Sequence, residues 1–319
     1  MKTRLRVLLA IICATCVCTV GNAQVSPLSA PDMAAAISAG RTFATQARSL
    51  DLERFGDGKY TGKAGTLVAE GDSWFDYPNA DVLKMLRRKH DYVVESVAHR
   101  GHTLDSITYS KDQLAELAGT LKSLKDRNVV PKAVLISAGG NDIAGPELAV
   151  MLNNSRSGLE KLDIVISREL ISRRFQVAMI TLLTAVTELS KKTFDRPIPI
   201  LVHGYDYPIP DGRGFLGGFW FLPGPWLKPS FLLRSDPASP DSLDQETQIV
   251  KGLIDDFNTM LSSLPKVDGL QHVRYVKVIG TLSSDPQTYT VDWGNELHPT
   301  PEGFRRVAER FQAVLTQLP

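Results

Sequence analysis

Five short apolar runs divide the chain, at residues 66–69, 92–97, 133–137, 198–203 and 273–278. Each is rich in Val, Ile or Leu without clean alternation, the pattern of strands buried on both faces. Stretches with helical spacing separate them. Residues 80–89 form one; 104–125 places Leu114, Leu117, Leu121 and Leu124 on one face; 170–191 does the same with Val177, Ile180, Leu183 and Val186; 245–264 and 301–318 follow. Strand and helix in alternation predict an α/β fold, a central parallel sheet of about five strands with helices on both sides. Ligands in such sheets sit at the carboxyl ends of the strands.

Three segments fall outside this rhythm. Residues 1–6 are basic, 7–20 are apolar, and Gly21, Asn22 and Ala23 follow. That order predicts a signal peptide at 1–23, cut near Ala23, and hence export to the periplasm or beyond the cell. Residues 24–62, with Ala-rich helical pieces and a polar turn, are read as an N-terminal extension, and 63–319 as the main domain. Within it, residues 204–244 form an insertion dense in Gly, Pro and aromatics, including Phe219, Trp220, Phe221 and Trp226. It is too aromatic for a disordered linker. Two readings stand: a lid or acyl-binding wall that makes transient lipid or membrane-surface contact through 215–232, or a satellite core packed on the sheet edge.

Composition narrows the chemistry. The three cysteines, Cys13, Cys16 and Cys18, all fall within the leader, so the mature chain would hold no disulfide, no thiolate nucleophile and no cysteine metal site. Loss of Lys2, Arg4 and Arg6 with the leader moves the formal charge from +1 to −2. A near-neutral chain argues against nucleic acid as a partner. At 43% hydrophobic and 22% charged residues it can bury a full core.

The first apolar run ends in Gly71, Asp72 and Ser73. A serine on the turn after a strand holds its hydroxyl above a rigid sheet, where it can act as a nucleophile. His298, just before Pro299 and the closing helical stretch, is the candidate base. Asn141, in Gly139-Gly140-Asn141-Asp142 after the third run, offers a side-chain amide to a developing oxyanion, and the backbone amides of Ser73 and Gly101 offer two more. Asp72 and Asp142 read as turn-holding carboxylates.

These blocks, Gly71-Asp72-Ser73, Gly101, Gly139-Gly140-Asn141-Asp142 and His298-Pro299, stand in the order found in the SGNH or GDSL hydrolase superfamily, and from about residue 64 onward the chain resembles that superfamily. The resemblance implies a flavodoxin-like three-layer α/β/α sandwich, ester hydrolysis through an acyl-serine, and an oxyanion hole of Ser73, Gly101 and Asn141. One position departs: the superfamily usually places Asp three residues before the histidine, and here Asn295 stands there. Asparagine can fix the imidazole tautomer but carries no charge to offset an imidazolium. Asn295 ranks first as orienter by position; Asp292 is the alternative by chemistry, and Glu296 is a further acid nearby.

The expectation is therefore a secreted serine esterase acting on an acyl or O-acetyl ester, with neither metal nor cofactor. Carbohydrate O-deacetylase, lysophospholipase and thioesterase activities share the scaffold, as does a non-catalytic cell-envelope or glycan-binding module. Trp74, His102, His203, Phe219 and Trp220 are candidate substrate contacts. His99 and His102 lack carboxylates at metal-ligand spacing. Gly212-Arg213-Gly214-Phe215-Leu216-Gly217 matches a dinucleotide fingerprint in letters only, because no strand abuts it and prolines stand where a helix should start.

Overall fold

The structure, a computed structural model, describes residues 27–47, 62–217 and 222–319. The leader at 1–23, part of the 24–62 extension, and Phe219 and Trp220 lie outside the described residues.

The strands are β1 (Thr66–Gly71), β2 (Val93–Ser96), β3 (Ala133–Ser137), β4 (Ile200–His203) and β5 (Val273–Val276), in the order β2-β1-β3-β4-β5. Every pairing is parallel. This is the flavodoxin-like order, which reverses direction between β1 and β3 and opens a crevice at their carboxyl ends. β3 and β4 are buried at every position, and β1 from Leu67 to Gly71, which is why their sequences do not alternate. β5 lies on the edge and exposes Arg274.

The helices are α1 (Ala30–Gln46), α2 (Val82–His90), α3 (Leu104–Tyr109), α4 (Lys111–Asp126), α5 (Pro146–Val150), α6 (Ile164–Arg168), α7 (Gln176–Phe194), α8 (Lys228–Arg234), α9 (Leu243–Ser263) and α10 (Pro301–Leu315). α2 and α10 pack together on one face of the sheet, and α3, α4, α7 and α9 cover the other, giving three layers. α1, from within the 24–62 segment, lies against α7. The two backbones approach so closely that a Cβ on Gly40 would stand 2.5 Å from the Thr181 carbonyl oxygen, and Thr181 Oγ1 donates to the Ala36 carbonyl at 3.2 Å.

Two helical expectations need revision. The run at 104–125 is two helices, because Ser110 leaves the helical region at ψ 126°. Its amide closes α3 and its hydroxyl accepts from Gln113 N at the start of α4, so one serine ends one helix and caps the next. The run at 170–191 begins earlier, at Ile164, and passes through a π-helical stretch, Glu169–Phe175, before α7.

Candidate active site

The site grows from the end of β1. A Cβ on Gly71 would lie 2.6 Å from the Ser137 carbonyl oxygen, so only glycine lets β1 run this close to β3 at the exit. The next residue fixes the turn. Asp72 Oδ1 accepts from Trp74 N at 2.9 Å and from Ser137 Oγ at 2.7 Å, and Oδ2 accepts from the Tyr205 hydroxyl. Burial raises the Asp72 carboxyl above its ordinary pKa, and these donors oppose that shift. Ser73 is thereby held on a turn tied to β3 and to the segment after β4.

Ser73 Oγ lies 2.7 Å from His298 Nε2, although 225 positions separate the two residues. The histidine sits in the loop ahead of α10, whose first turn is capped by Thr300 Oγ1 accepting from Gly303 N. On its other side, His298 Nδ1 is 3.0 Å from Asn295 Oδ1. The same oxygen accepts from the backbone amides of Leu297 at 3.0 Å and His298 at 2.9 Å. Backbone N–H groups only donate, so the atom they share is the amide oxygen and the orientation of Asn295 is determined. An amide oxygen only accepts, so Nδ1 carries the imidazole proton. Nε2 then presents its lone pair to the Ser73 hydroxyl, as a general base requires.

His298 is 5% exposed and Asn295 is 3% exposed. Burial pushes the His298 pKa down to about 3, since no carboxylate touches the ring. Two aromatic neighbours complete its surroundings, Tyr77, which the sequence did not single out, and Trp226 of the aromatic insertion. The Tyr77 ring stacks on the imidazole with centroids 4.1 Å apart and planes 17° from parallel. Trp226 meets it edge to face at 5.3 Å. The Asn295 side-chain amide donates to the Tyr77 hydroxyl at 3.0 Å.

The acids near His298 are engaged elsewhere. Asp292, the alternative orienter, does not reach the ring: its Oδ2 accepts from Ser283 N at 2.8 Å and from Arg306 Nη1 at 3.0 Å. Glu296 also turns away. It accepts from four backbone amides of the 204–244 segment: Gly212 at 2.9 Å, Trp226 at 2.6 Å, Leu227 at 2.7 Å and Lys228 at 3.0 Å. Burial raises its pKa and the four amides oppose the rise. In return, Glu296 N donates to the Arg213 carbonyl, and Arg213 Nη1 donates to the Trp293 carbonyl. The aromatic segment is thus clamped to the loop that carries the histidine.

Asn141 lies at the end of β3, half-buried, and donates its side-chain amide to the His102 carbonyl at 2.8 Å. Its companion Asp142 accepts from Leu104 N at 2.7 Å and from Asp105 N at the start of α3, a helix-capping role, with a pKa raised to about 6 by burial. Ser73, Trp74 and Asn141 line a common cavity of about 50 Å³ whose apolar walls include Ile143, Leu227, Val250 and Ile254. Gly101, with φ +85°, sits on the adjacent turn but does not line the cavity.

The remaining candidates divide. Trp74 is a wall of the cavity and donates its indole N–H to the Leu297 carbonyl at 3.0 Å. His203 is not a cavity residue. It is buried behind Trp74, stacked on it at 5.5 Å and flanked by Phe75 and Phe311, and burial lowers its pKa to about 4. The His102 ring packs against His99 at 5.1 Å instead of lining the cavity; only its backbone carbonyl meets Asn141. Among the described residues, no group of three or more His, Cys, Asp or Glu side chains is arranged to hold a metal ion.

No family model and no curated protein matches the chain. Among solved structures, it is similar to a member of the lipolytic G-D-S-L family from Veillonella parvula DSM 2008, at 11% identity over 79% of this chain and 99% of that one, with a TM-score of 0.41. It is similar to an extracellular lipase from Streptomyces rimosus, at 16% identity over 80% of this chain and 100% of that one, with a TM-score of 0.42. It is also similar to an aryl esterase from M. smegmatis, at 15% identity over 80% of this chain and 100% of that one, with a TM-score of 0.43.

Proposed function

We propose that the protein is an exported serine hydrolase that cleaves carboxylic esters of short acyl chains through an acyl-serine intermediate. One observation carries the reading: a serine hydroxyl on a strand-end turn meets the free lone pair of an imidazole whose proton is held on the far nitrogen by Asn295. Ser73 Oγ attacks the ester carbonyl carbon while its proton passes to His298 Nε2. The carbonyl oxygen takes the negative charge, and the donors proposed to hold it are the side-chain amide of Asn141, which lines the same cavity as Ser73, and the Ser73 backbone N–H. The carbon–oxygen bond to the alcohol then breaks, and the imidazolium returns the proton to the departing oxygen. A water, deprotonated by the same Nε2, attacks the acyl-serine and releases the acid.

Cavity size supports the short acyl chain. The cavity walls at Ile143, Leu227, Val250 and Ile254 are apolar and leave a small recess beside Ser73 suited to a small acyl group. O-acetyl esters, including those of carbohydrates, fit this description. Export rests on the basic and apolar order of residues 1–23.

The test pairs hydrolysis of p-nitrophenyl acetate with covalent labelling by a fluorophosphonate. Both are expected in the wild-type protein, with the label mapped to the peptide that carries Ser73, and both should vanish in Ser73→Ala. Undiminished hydrolysis by Ser73→Ala would remove the reading.

A further inference from the structure

A histidine that takes a proton becomes an imidazolium, and in a buried site that charge needs a partner. A carboxylate at the orienting position would supply one; here the orienter is the neutral amide of Asn295. The nearby acids are committed. Asp292 is paired with Arg306, Glu296 is wrapped in four backbone amides, and Asp72 is held by Ser137, Tyr205 and Trp74 N. What faces the imidazole instead is an aromatic ring. Tyr77 lies parallel to it at 4.1 Å, within the range in which the negative face of a ring attracts a cation. Phe215 packs edge-on to Tyr77 at 5.8 Å and Phe304 lies 6.0 Å from it, so the ring is held in place.

We propose that Tyr77 is a positioning residue for His298, its ring face stabilising the imidazolium formed during acyl transfer and so replacing part of what a carboxylate would do. The inference rests on the serine-hydrolase reading of Ser73 and His298. The hydroxyl of Tyr77 is secondary. It accepts from the Asn295 side-chain amide, but two backbone amides already fix that side chain. The face is what matters, because Ser73 and Asn295 already use both ring nitrogens and the imidazole has only its faces left to offer.

The experiment is a double-mutant cycle on p-nitrophenyl acetate, with kcat expressed per site that labels with a fluorophosphonate, so that misfolded protein is not counted. Tyr77→Phe keeps the face and should stay within about threefold of wild type. Tyr77→Leu removes it and should lower kcat about 30-fold with KM changed by less than about threefold, a loss of about 2 kcal/mol at about 1.36 kcal/mol per tenfold. Asn295→Asp supplies the missing charge, so it should raise kcat about tenfold more in the Tyr77→Leu background than in wild type. Equal losses in Tyr77→Phe and Tyr77→Leu would overturn the inference, as would a Tyr77→Leu effect confined to KM or equal gains from Asn295→Asp in both backgrounds. Those results leave the hydrolase reading intact. A wild-type protein that neither hydrolyses the ester nor labels at Ser73 overturns both.

Discussion

Asn295→Asp is the substitution whose outcome the geometry fixes most tightly. It exchanges one nitrogen for one oxygen and leaves the shape of the side chain unchanged. The new carboxylate would stand about where Asn295 Oδ1 stands now, 3.0 Å from His298 Nδ1. Two backbone amides, the imidazole N–H and the Tyr77 hydroxyl, turned to donate, would hold it in its charged form. Opposite unit charges about 4 Å apart attract by about 4 kcal/mol at an effective dielectric of about 20. Part of that is offset by the cost of burying the carboxylate and by the amide dipole it replaces, so a rise of about 2 pKa units is the expected net effect. His298 would move from about 3 to about 5. Catalysis needs the neutral imidazole, so kcat/KM falls as pH drops through the His298 pKa, and a raised pKa moves that acid limb upward. The wild-type protein should retain turnover near about pH 4.5, and the variant should have lost most of its own there. A buried neutral histidine also makes the folded state lose stability as pH falls from its ordinary pKa toward its depressed one. Incubation at each acidic pH followed by assay at about pH 7.5 separates unfolding from titration. Acid limbs that coincide in the two proteins would refute the reasoning, and so would a wild-type limb near the ordinary histidine pKa of about 6.5.

Two further perturbations test the clamp and the cavity. Glu296→Ala leaves four backbone amides of the 204–244 segment without their acceptor, in a place where the carboxylate is 1% exposed. A loss of at least about 3 kcal/mol is expected, read as a lower denaturant midpoint, together with a lower kcat as the His298 loop loosens; an unchanged midpoint would show that the amides find other partners. Ile254→Ala widens the cavity beside Ser73. Admitting two more methylenes at about 0.8 kcal/mol each should raise the hexanoate-to-acetate ratio of kcat/KM about 15-fold, and an unchanged ratio would place the acyl chain elsewhere.

The sheet was legible because its strands are buried on both faces and spell themselves out as apolar runs; β1 and β3 match residues 66–69 and 133–137 closely. Ser73, Asn141 and His298 were legible because each follows a recognisable block at a strand end or helix start. The break at Ser110 was not, since apolar positions continue across it at Leu104, Ile107, Leu114 and Leu117 and no Gly or Pro stands at the break itself; the signal lies in a hydroxyl that caps the next helix. The parts played by Tyr77 and Glu296 were missed for another reason. Their roles depend on partners more than 60 positions away, His298 for the one and Gly212 to Lys228 for the other, and no local period encodes such pairs. Asp292 was ranked on charge alone, and Arg306, on the adjoining turns of α10, claims that charge. His203 and His102 were placed near the site by chain position, but the Trp74 side chain screens the one and the His99 ring turns the other aside.

The distribution of acids explains why an amide at position 295 is workable. The crevice between β1 and β3 already buries Asp72, and the loops around it bury Asp206, Asp292 and Glu296. Each accepts from donors in the loops: Asp206 from the amides of Tyr207, Gly280, Thr281 and Leu282, Asp292 through its Oδ2 from Ser283 N and Arg306, and Glu296 from its four amides. These carboxylates organise backbone, and the loops they pin deliver Ser73 and His298 to one point. A further carboxylate beside His298 would find Asn295's two backbone donors, but it would add one more buried negative charge, with its desolvation cost, to those of Asp72, Asp292 and Glu296. Asparagine meets the same donors without the charge. On the proposed mechanism, the consequence is a weaker base that stays neutral well into acid, which ties the identity of residue 295 to the pH range over which Ser73 would be activated.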